Sequence, residues 1–241
     1  MTAFVDLEKE QKTDNALYRW ILYLIADAAH TVLQVRVHAQ GLEKIPTDGR
    51  VLLVCNHLNN ADPVIIMHKV KKYQKLTFIA KREVGNMFVV GKFLHKMLGQ
   101  RINRENDREA LKTILKCIQI IKEDKASIAV FPEGYIKPDK KLHHFRPGVF
   151  KIAQRAEVPI VVCTITNTNH IIKNFLHLKP TDVDLHLVKT IQPEEYAGKR
   201  SAAILASENM LDYFEVDDSI CMIEMLPLDE WVGKSLIDLN L

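Results

Sequence analysis

The sequence has few cysteines, and they are not arranged as a metal site or a disulfide framework. The four, Cys55, Cys117, Cys163 and Cys221, are far apart, form no CxxC pair and lie in apolar stretches. This pattern predicts reduced core residues in a cytoplasmic protein. No metal-ligand spacing occurs, and the adjacent His143 and His144 are badly placed to share one ion. We therefore expect neither a metal nor a cofactor.

Long apolar runs and several common enzyme motifs are also missing. No stretch of 18 apolar residues occurs, so the sequence predicts no transmembrane helix. Residues 1 to 15 are acidic and polar, unlike a secretory signal peptide. The lack of a GxSxG elbow argues against an α/β-hydrolase. Gly233-Lys234-Ser235 is not a phosphate loop, because Leu228 stands where the earlier glycine is required.

The segments that are present alternate between strand and helix patterns. The chain of 241 residues, 47% hydrophobic and 26% charged, suits one large domain. The patterns predict a single α/β domain with a mixed, largely parallel central sheet flanked by helices. We assign residues 1–34 to an N-terminal amphipathic segment, 35–215 to the main domain and 216–241 to a tail of unknown role. Predicted strands cover 35–39, 51–55, 76–80, 127–131, 159–166 and 183–191; predicted helices cover 16–33, 64–70, 85–98, 107–122, 149–156 and 199–214.

Basic residues are grouped although the net charge is only +3. Each group is either a solvated face or a surface that attracts an anionic substrate or anionic lipid headgroups. Nucleic acid is not expected as a partner, because no binding motif is found and few aromatic residues lie among these charges. The first group is Lys69, Lys71, Lys72, Lys75, Lys81 and Arg82; the second is Lys137, Lys140, Lys141, His143, His144 and Arg146.

Residues 16 to 33 form an amphipathic helix by their periodicity. Leu17, Trp20, Ile21, Leu24 and Ala28 share one face at helical spacing. Two interpretations stay open. The stripe either packs into the core or lies in a membrane interface, with aromatic side chains at headgroup level.

The most informative stretch is Val51 to Asp62, where a short buried strand ends on Asn56-His57. Asp62 follows five residues after His57, so the carboxylate can meet the imidazole across a tight turn. It would then hold one ring nitrogen and leave the other free to take a proton. The alternative is a surface loop with an ordinary histidine and an aspartate helix cap.

Asn56-His57-x4-Asp62 resembles the signature of the glycerolipid acyltransferases, the family of 1-acylglycerol-3-phosphate acyltransferases. Further blocks follow in that family's order, and the resemblance covers about residues 35 to 195. The blocks are Lys81-Arg82-Glu83 with Gly99-Gln100-Arg101-Ile102-Asn103-Arg104, then Phe131-Pro132-Glu133-Gly134, then Val158-Pro159-Ile160-Val161, preceded by the lead-in Gly41-Leu42-Glu43-Lys44-Ile45-Pro46.

The resemblance implies an O-acyltransferase that esterifies the sn-2 hydroxyl of 1-acylglycerol 3-phosphate and forms phosphatidic acid. The donor would be acyl-CoA or acyl carrier protein, and the other partner an anionic membrane surface. The enzyme is then expected at the cytoplasmic face of the membrane, as a peripheral or monotopic protein. The alternatives are an acyltransferase for another lysolipid, such as a lyso-ornithine lipid, and a non-catalytic lipid-binding protein.

The same resemblance assigns roles to individual residues. His57 would be the base and Asp62 its orienting carboxylate, with backbone amides near 56–62 or 132–134 as oxyanion donors. The acceptor phosphate would meet Arg104 and Lys81 from the second block, and Arg146 after the third.

Glu133, beside Gly134, would position acceptor hydroxyls or organise those cations. Structural roles are the alternatives: an ion pair of Glu133 with a structural arginine, and a helix cap formed by Arg104. Tyr135-Ile136 departs from the small polar residue usual in the family, which leaves the identity of the acceptor open.

Overall fold

A seven-stranded mixed sheet forms the centre of the fold in the computed structural model, which describes residues 11–103, 106–136, 145–197, 210–217 and 220–225. Its strand order is β1-β7-β6-β2-β5-β3-β4, and every neighbouring pair is parallel except β6 with β7. This confirms the predicted fold class. The strands are β1 Val35–Gln40, β2 Leu52–Cys55, β3 Leu76–Lys81, β4 Gln100–Ile102, β5 Ser127–Val130, β6 Ile160–Ile165 and β7 Thr181–Ile191.

Helices cover both faces of this sheet, because successive side chains of the central strands point in opposite directions. On β2, Leu53 and Cys55 join the apolar cluster of the first face, whereas Leu52 and Val54 join the cluster of the other. The helices are α1 Ala16–Val32, α2 Asp62–Val70, α3 Arg82–Gly85, α4 Val90–Lys96, α5 Asp107–Lys122, α6 Lys151–Ala156, α7 Ile171–Leu176 and α8 Pro193–Tyr196, with 3-10 turns at Leu42–Lys44, Pro147–Phe150 and Thr168–His170.

The helix predicted over residues 85–98 is wrong in its extent. The chain forms two short helices, α3 and α4, separated by residues 86–89. The break brings the start of α4 so close to the end of α3 that a Cβ on Gly91 would lie 2.1 Å from the Gly85 carbonyl oxygen. Only part of the wide apolar pattern is therefore buried: Phe93 and Met97 lie in the core, whereas Met87, Phe88, Val89 and Val90 are exposed.

The helix predicted over residues 199–214 is wrong at its end. Residues 210–214 lie in β8, Met210–Asp217, which pairs antiparallel with β9, Ile220–Met225. The segment Tyr213-Phe214-Glu215-Val216 is rich in aromatic and β-branched residues that favour strands. The boundary predicted between 215 and 216 falls inside β8, and residues 198–209 lie outside the described part.

The first predicted group of basic residues is divided by the fold. Lys69 to Lys75 come at the end of α2 and before β3, whereas Lys81 and Arg82 follow at its other end. Since β3 has six residues, the two subsets lie about 20 Å apart, at opposite edges of the sheet. The two subsets are close in sequence and therefore looked like one cluster, but the extended strand between them holds them far apart.

Helix α1 turns its predicted apolar stripe away from the core. Leu17, Trp20 and Leu24 are 47%, 58% and 47% exposed, while Arg19 and Ala26 on the opposite side are buried. Arg19 donates to the Leu76 carbonyl oxygen at 2.8 Å, which fixes α1 to the start of β3. The core-packing interpretation is therefore wrong for Leu17, Trp20 and Leu24, whereas the partly buried Ile21 does pack against the core. In the described ranges, no helix has the length and hydropathy needed to span a bilayer.

Two substitutions to aspartate on α1 should have opposite effects on stability. Trp20→Asp with Leu24→Asp places charges on an exposed face and should lower the free energy of unfolding by less than about 2 kcal/mol. Ala26→Asp buries a charge against the domain and should cost more than about 4 kcal/mol. Urea unfolding followed by circular dichroism compares them. A double variant as damaged as Ala26→Asp would contradict the described packing of α1.

Candidate active site

The carboxyl ends of four parallel strands gather the predicted site residues at one edge of the sheet. In sheet order, β2 ends before Asn56-His57, β5 before Phe131 to Gly134, β3 at Lys81, and β4 before Asn103. Ligands of open α/β sheets bind at this edge, where loops leave neighbouring strands. Blocks that are far apart in sequence are therefore adjacent in space.

His57 and Asp62 form the hydrogen-bonded pair that their spacing predicts. The distance from His57 Nδ1 to Asp62 Oδ2 is 2.9 Å. Asp62 is fully buried in the first turn of α2, and its Oδ2 also accepts the N–H groups of Leu58 and Asn59, both at 2.7 Å. These donors and the amino end of the helix stabilise the buried carboxylate. With Nδ1 held in this way, Nε2 is the ring nitrogen left for a substrate.

Glu133 supports the same loop from the neighbouring strand. Its Oε1 accepts the backbone N–H of His57 at 2.9 Å, and the residue is only 5% exposed. This contact fixes the end of β2 to the turn after β5. The turn itself depends on Gly134, whose φ of +89° lies in the left-handed region that favours glycine. The predicted role of Glu133 in binding the acceptor stays a prediction.

The bonds to these carboxylates also bear on the oxyanion donors. The N–H group of His57 already donates a hydrogen bond to Glu133, and those of Leu58 and Asn59 donate to Asp62. They therefore stabilise the loop and are poorly placed to serve an oxyanion.

Two contacts of the segment after β2, Asn56 to Asp62, were not foreseen from the sequence. The side chain of Asn56 bonds both backbone groups of Ile165, donating to the carbonyl oxygen at 2.9 Å and accepting the N–H at 2.8 Å. The ring of Phe131 stacks on that of His57, with centroids 4.0 Å apart. Both residues belong to recognisable blocks, but their partners lie on other strands, so no local pattern indicated these contacts.

The predicted cations are found at the same edge or outside the described residues. Lys81 is the exposed last residue of β3, and its Nζ lies 3.5 Å from Glu83. The backbone N–H of Arg146 donates to the Pro132 carbonyl oxygen at 2.9 Å, which brings that segment beside the Glu133 turn. Arg104 lies outside the described part, as do residues 137–144 of the second basic group.

A polar cleft of about 210 Å³ lies beside the end of β4. It is lined by Arg82, Asn86, Arg101, Asn103 and Glu109, so two arginines face one carboxylate. Arg101 donates to Asn86 at 2.9 Å. No sequence pattern indicated that Arg82 and Arg101 would line a cleft, although both stand within the second block.

Burial makes the nearby thiol a poor nucleophile. Cys55 immediately precedes Asn56, and its pKa is raised well above the usual value by burial, with Cys163, Asp62 and Glu133 adding to the effect. Cys55, Cys117 and Cys163 are free and buried, as predicted, while the side chain of Cys221 lies outside the description. Among the described residues, no three histidine, cysteine or acidic side chains come together as a metal site.

Comparisons with known proteins agree on one family. A family model described as Acyltransferase matches residues 36–166. A probable 1-acyl-sn-glycerol-3-phosphate acyltransferase from Mycoplasma pneumoniae is 34% identical over 56% of this chain and 50% of its own length. A 1-acyl-sn-glycerol-3-phosphate acyltransferase from Borreliella burgdorferi is 26% identical over 72% of this chain and 70% of its own. The chain thus spans about half the length of the Mycoplasma relative.

The fold resembles a solved structure. The crystal structure of the 1-acyl-sn-glycerophosphate (LPA) acyltransferase from Thermotoga maritima superposes with a TM-score of 0.64 at 24% identity. The match covers 79% of this chain and 75% of that one. At this identity the likeness concerns the fold alone.

The contact of Glu133 with the segment after β2 can be tested by stability. Glu133→Ala leaves the buried His57 N–H without an acceptor and should lower the free energy of unfolding by roughly 1–3 kcal/mol. Glu133→Gln keeps an acceptor oxygen and should cost less. Denaturant unfolding of the three proteins makes the comparison, and identical midpoints would show that the bond does not hold the loop.

Proposed function

Because the chain belongs to the acyltransferase family, we propose that it esterifies the sn-2 hydroxyl of 1-acylglycerol 3-phosphate and so forms phosphatidic acid. The acyl donor is a thioester, in which the acyl group is carried either by coenzyme A or by acyl carrier protein. The observation that carries the proposal is the His57–Asp62 pair at the active edge of the sheet. A base held by a buried carboxylate has a chemical use in acyl transfer and none in simple lipid binding.

The reaction proceeds by direct attack of the acceptor on the donor. His57 Nε2 takes the proton of the hydroxyl as its oxygen attacks the thioester carbonyl carbon. The tetrahedral intermediate then expels the thiolate, which receives the proton back from the imidazolium. Asp62 keeps the ring in the correct tautomer and stabilises its charged form. No enzyme nucleophile is needed, in keeping with the buried and protonated thiol of Cys55.

The phosphate of the acceptor is assigned to the cations at the same edge. Lys81 and Arg146 are exposed there, Arg104 follows β4, and Arg82 and Arg101 line the adjoining cleft. Arginine suits this task because its planar fork matches phosphate oxygens. Gly134 lets the backbone of the Glu133 turn approach the substrate closely.

A second acceptor class is favoured by Tyr135. This residue directly follows the Glu133-Gly134 turn and is 46% exposed. A ring at this position narrows the space beside the turn and adds a hydroxyl that can bond a headgroup. A lysolipid other than lysophosphatidic acid, such as a lyso-ornithine lipid, is therefore the alternative acceptor. A panel of lysolipids with each thioester donor, read by mass spectrometry, separates the two.

The enzyme reaches its lipid substrates by lying on an anionic membrane surface. Helix α1 presents Leu17, Trp20 and Leu24 outward, and Lys71 lies 5.1 Å from the ring of Tyr23 on the same helix. A second exposed apolar surface, residues 84–90, follows β3 at the active edge. Apolar side chains enter the interface while neighbouring cations meet headgroup phosphates. We place this docking at the cytoplasmic face of the membrane.

Substitutions of the catalytic pair test the reaction. His57→Ala should abolish transfer, and Asp62→Asn should lower kcat by about 10⁴-fold, because the imidazole loses its orientation and its counter-charge. Turnover of lysophosphatidic acid by purified protein gives the rates, and circular dichroism checks the fold. A folded His57→Ala protein that keeps most of the rate would refute His57 as the base. A wild-type protein inactive on every lysolipid would favour the non-catalytic lipid-binding alternative.

Membrane docking is tested by vesicle flotation. Trp20→Asp with Leu24→Asp should release the protein from anionic vesicles, while activity on detergent-dispersed substrate survives. Trp20→Asn with Leu24→Asn is the matched control, since it removes the apolar contacts without adding charge and should also release the protein. High salt should reduce wild-type binding only in part, because screening over about 8 Å weakens the electrostatic contribution alone. If both double variants float with anionic vesicles as the wild type does, docking through α1 is excluded.

A further inference from the structure

Three aromatic rings form a stacked column that ends on the catalytic imidazole. His57 and Phe131 lie with their centroids 4.0 Å apart and their planes inclined by 14°. Phe131 and Phe78 follow at 5.6 Å and 18°. Phe78 belongs to β3 and is 5% exposed, whereas Phe131 directly follows β5. The column therefore connects the rigid core of the sheet to the one side chain that must transfer a proton.

The hydrogen bond with Asp62 does not by itself fix the plane of the His57 ring. A bond at Nδ1 fixes one atom of the ring, but the ring can still tilt about the line joining that atom to Oδ2. The χ2 torsion of histidine does not prevent the tilt, because torsions at an sp³–sp² bond have broad minima. Such a tilt would leave Nε2 nearly in place but turn its lone pair away from the substrate hydroxyl. The flat ring of Phe131, stacked against the imidazole, restricts this tilt.

The stacked ring also acts on the charge that forms during transfer. The face of an aromatic ring carries negative partial charge and attracts a cation within about 6 Å of its centroid. His57 becomes an imidazolium at the moment it accepts the proton, at 4.0 Å from Phe131. The face of Phe131 therefore attracts the imidazolium that forms during transfer.

We propose that Phe131 is a positioning residue for acyl transfer, which fixes the plane of the His57 ring and stabilises its protonated form, with Phe78 as the support behind it. The inference rests on the proposed function, because it assigns His57 the role of base. It adds to the His57–Asp62 pair a third group that acts on the imidazole, through its face and not through its nitrogen atoms.

Phe131→Leu and Phe78→Leu form a matched pair for the test. Both remove a ring from the same column and leave an aliphatic side chain, but only Phe131 touches His57. Phe131→Leu should lower kcat on the order of 10- to 100-fold with little change in KM, the loss expected from a misplaced catalytic group. Phe78→Leu removes a more deeply buried ring and should lower the melting temperature at least as much, with a smaller loss of kcat. Phe131→Tyr keeps an aromatic ring at this position and should retain most of the wild-type kcat.

A spectroscopic measurement separates this inference from the proposed function. The ring current of Phe131 should shift the His57 ring protons upfield in the NMR spectrum, and Phe131→Leu should cancel the shift. His57→Ala assigns the resonances. This readout needs no turnover, so an inactive wild type would refute the proposed activity without touching the stacking. Unchanged kcat in Phe131→Leu, a loss of rate no larger than in Phe78→Leu, or the absence of an upfield shift would each overturn the positioning role.

Discussion

The buried carboxylate of Asp62 is the constraint on which the candidate site depends. A buried charge is tolerated only where hydrogen-bond donors meet it, and here the ring of His57 and the N–H groups of Leu58 and Asn59 all bond one oxygen, Oδ2. The short loop after β2 is thereby wrapped around the carboxylate. The bonds that make the buried charge tolerable therefore also set the orientation of the His57 ring.

The loop is also held from both neighbouring strands. Glu133 accepts the His57 N–H from the side of β5, and Asn56 bonds the end of β6 through Ile165. Since β2 lies between these two strands, the segment that carries His57 is held from both sides. Preorganisation of this kind lets a weak base act on a hydroxyl, because little reorientation remains to be done during the reaction.

Helix α1 shows how one element serves the core and the surface together. Its inward side is fixed by Arg19 on the Leu76 carbonyl oxygen and by the edge of Tyr18 against Phe93. Its outward side leaves Trp20 and Leu24 in contact with solvent. Exposed apolar area of this kind marks an interaction surface, and under the proposed function the surface it meets is that of a lipid membrane.

The sequence alone determined the alternation of strands and helices, and with it the fold class, since periodicity is a local property. It also indicated the His57–Asp62 pair, because a tight turn after a strand end can bring together two side chains that are five residues apart. Tertiary structure alone decided where the stripe of α1 points, since periodicity defines a face without its partner. It alone separated Lys75 from Lys81 and brought Phe131 against His57, because both results depend on which strands lie side by side.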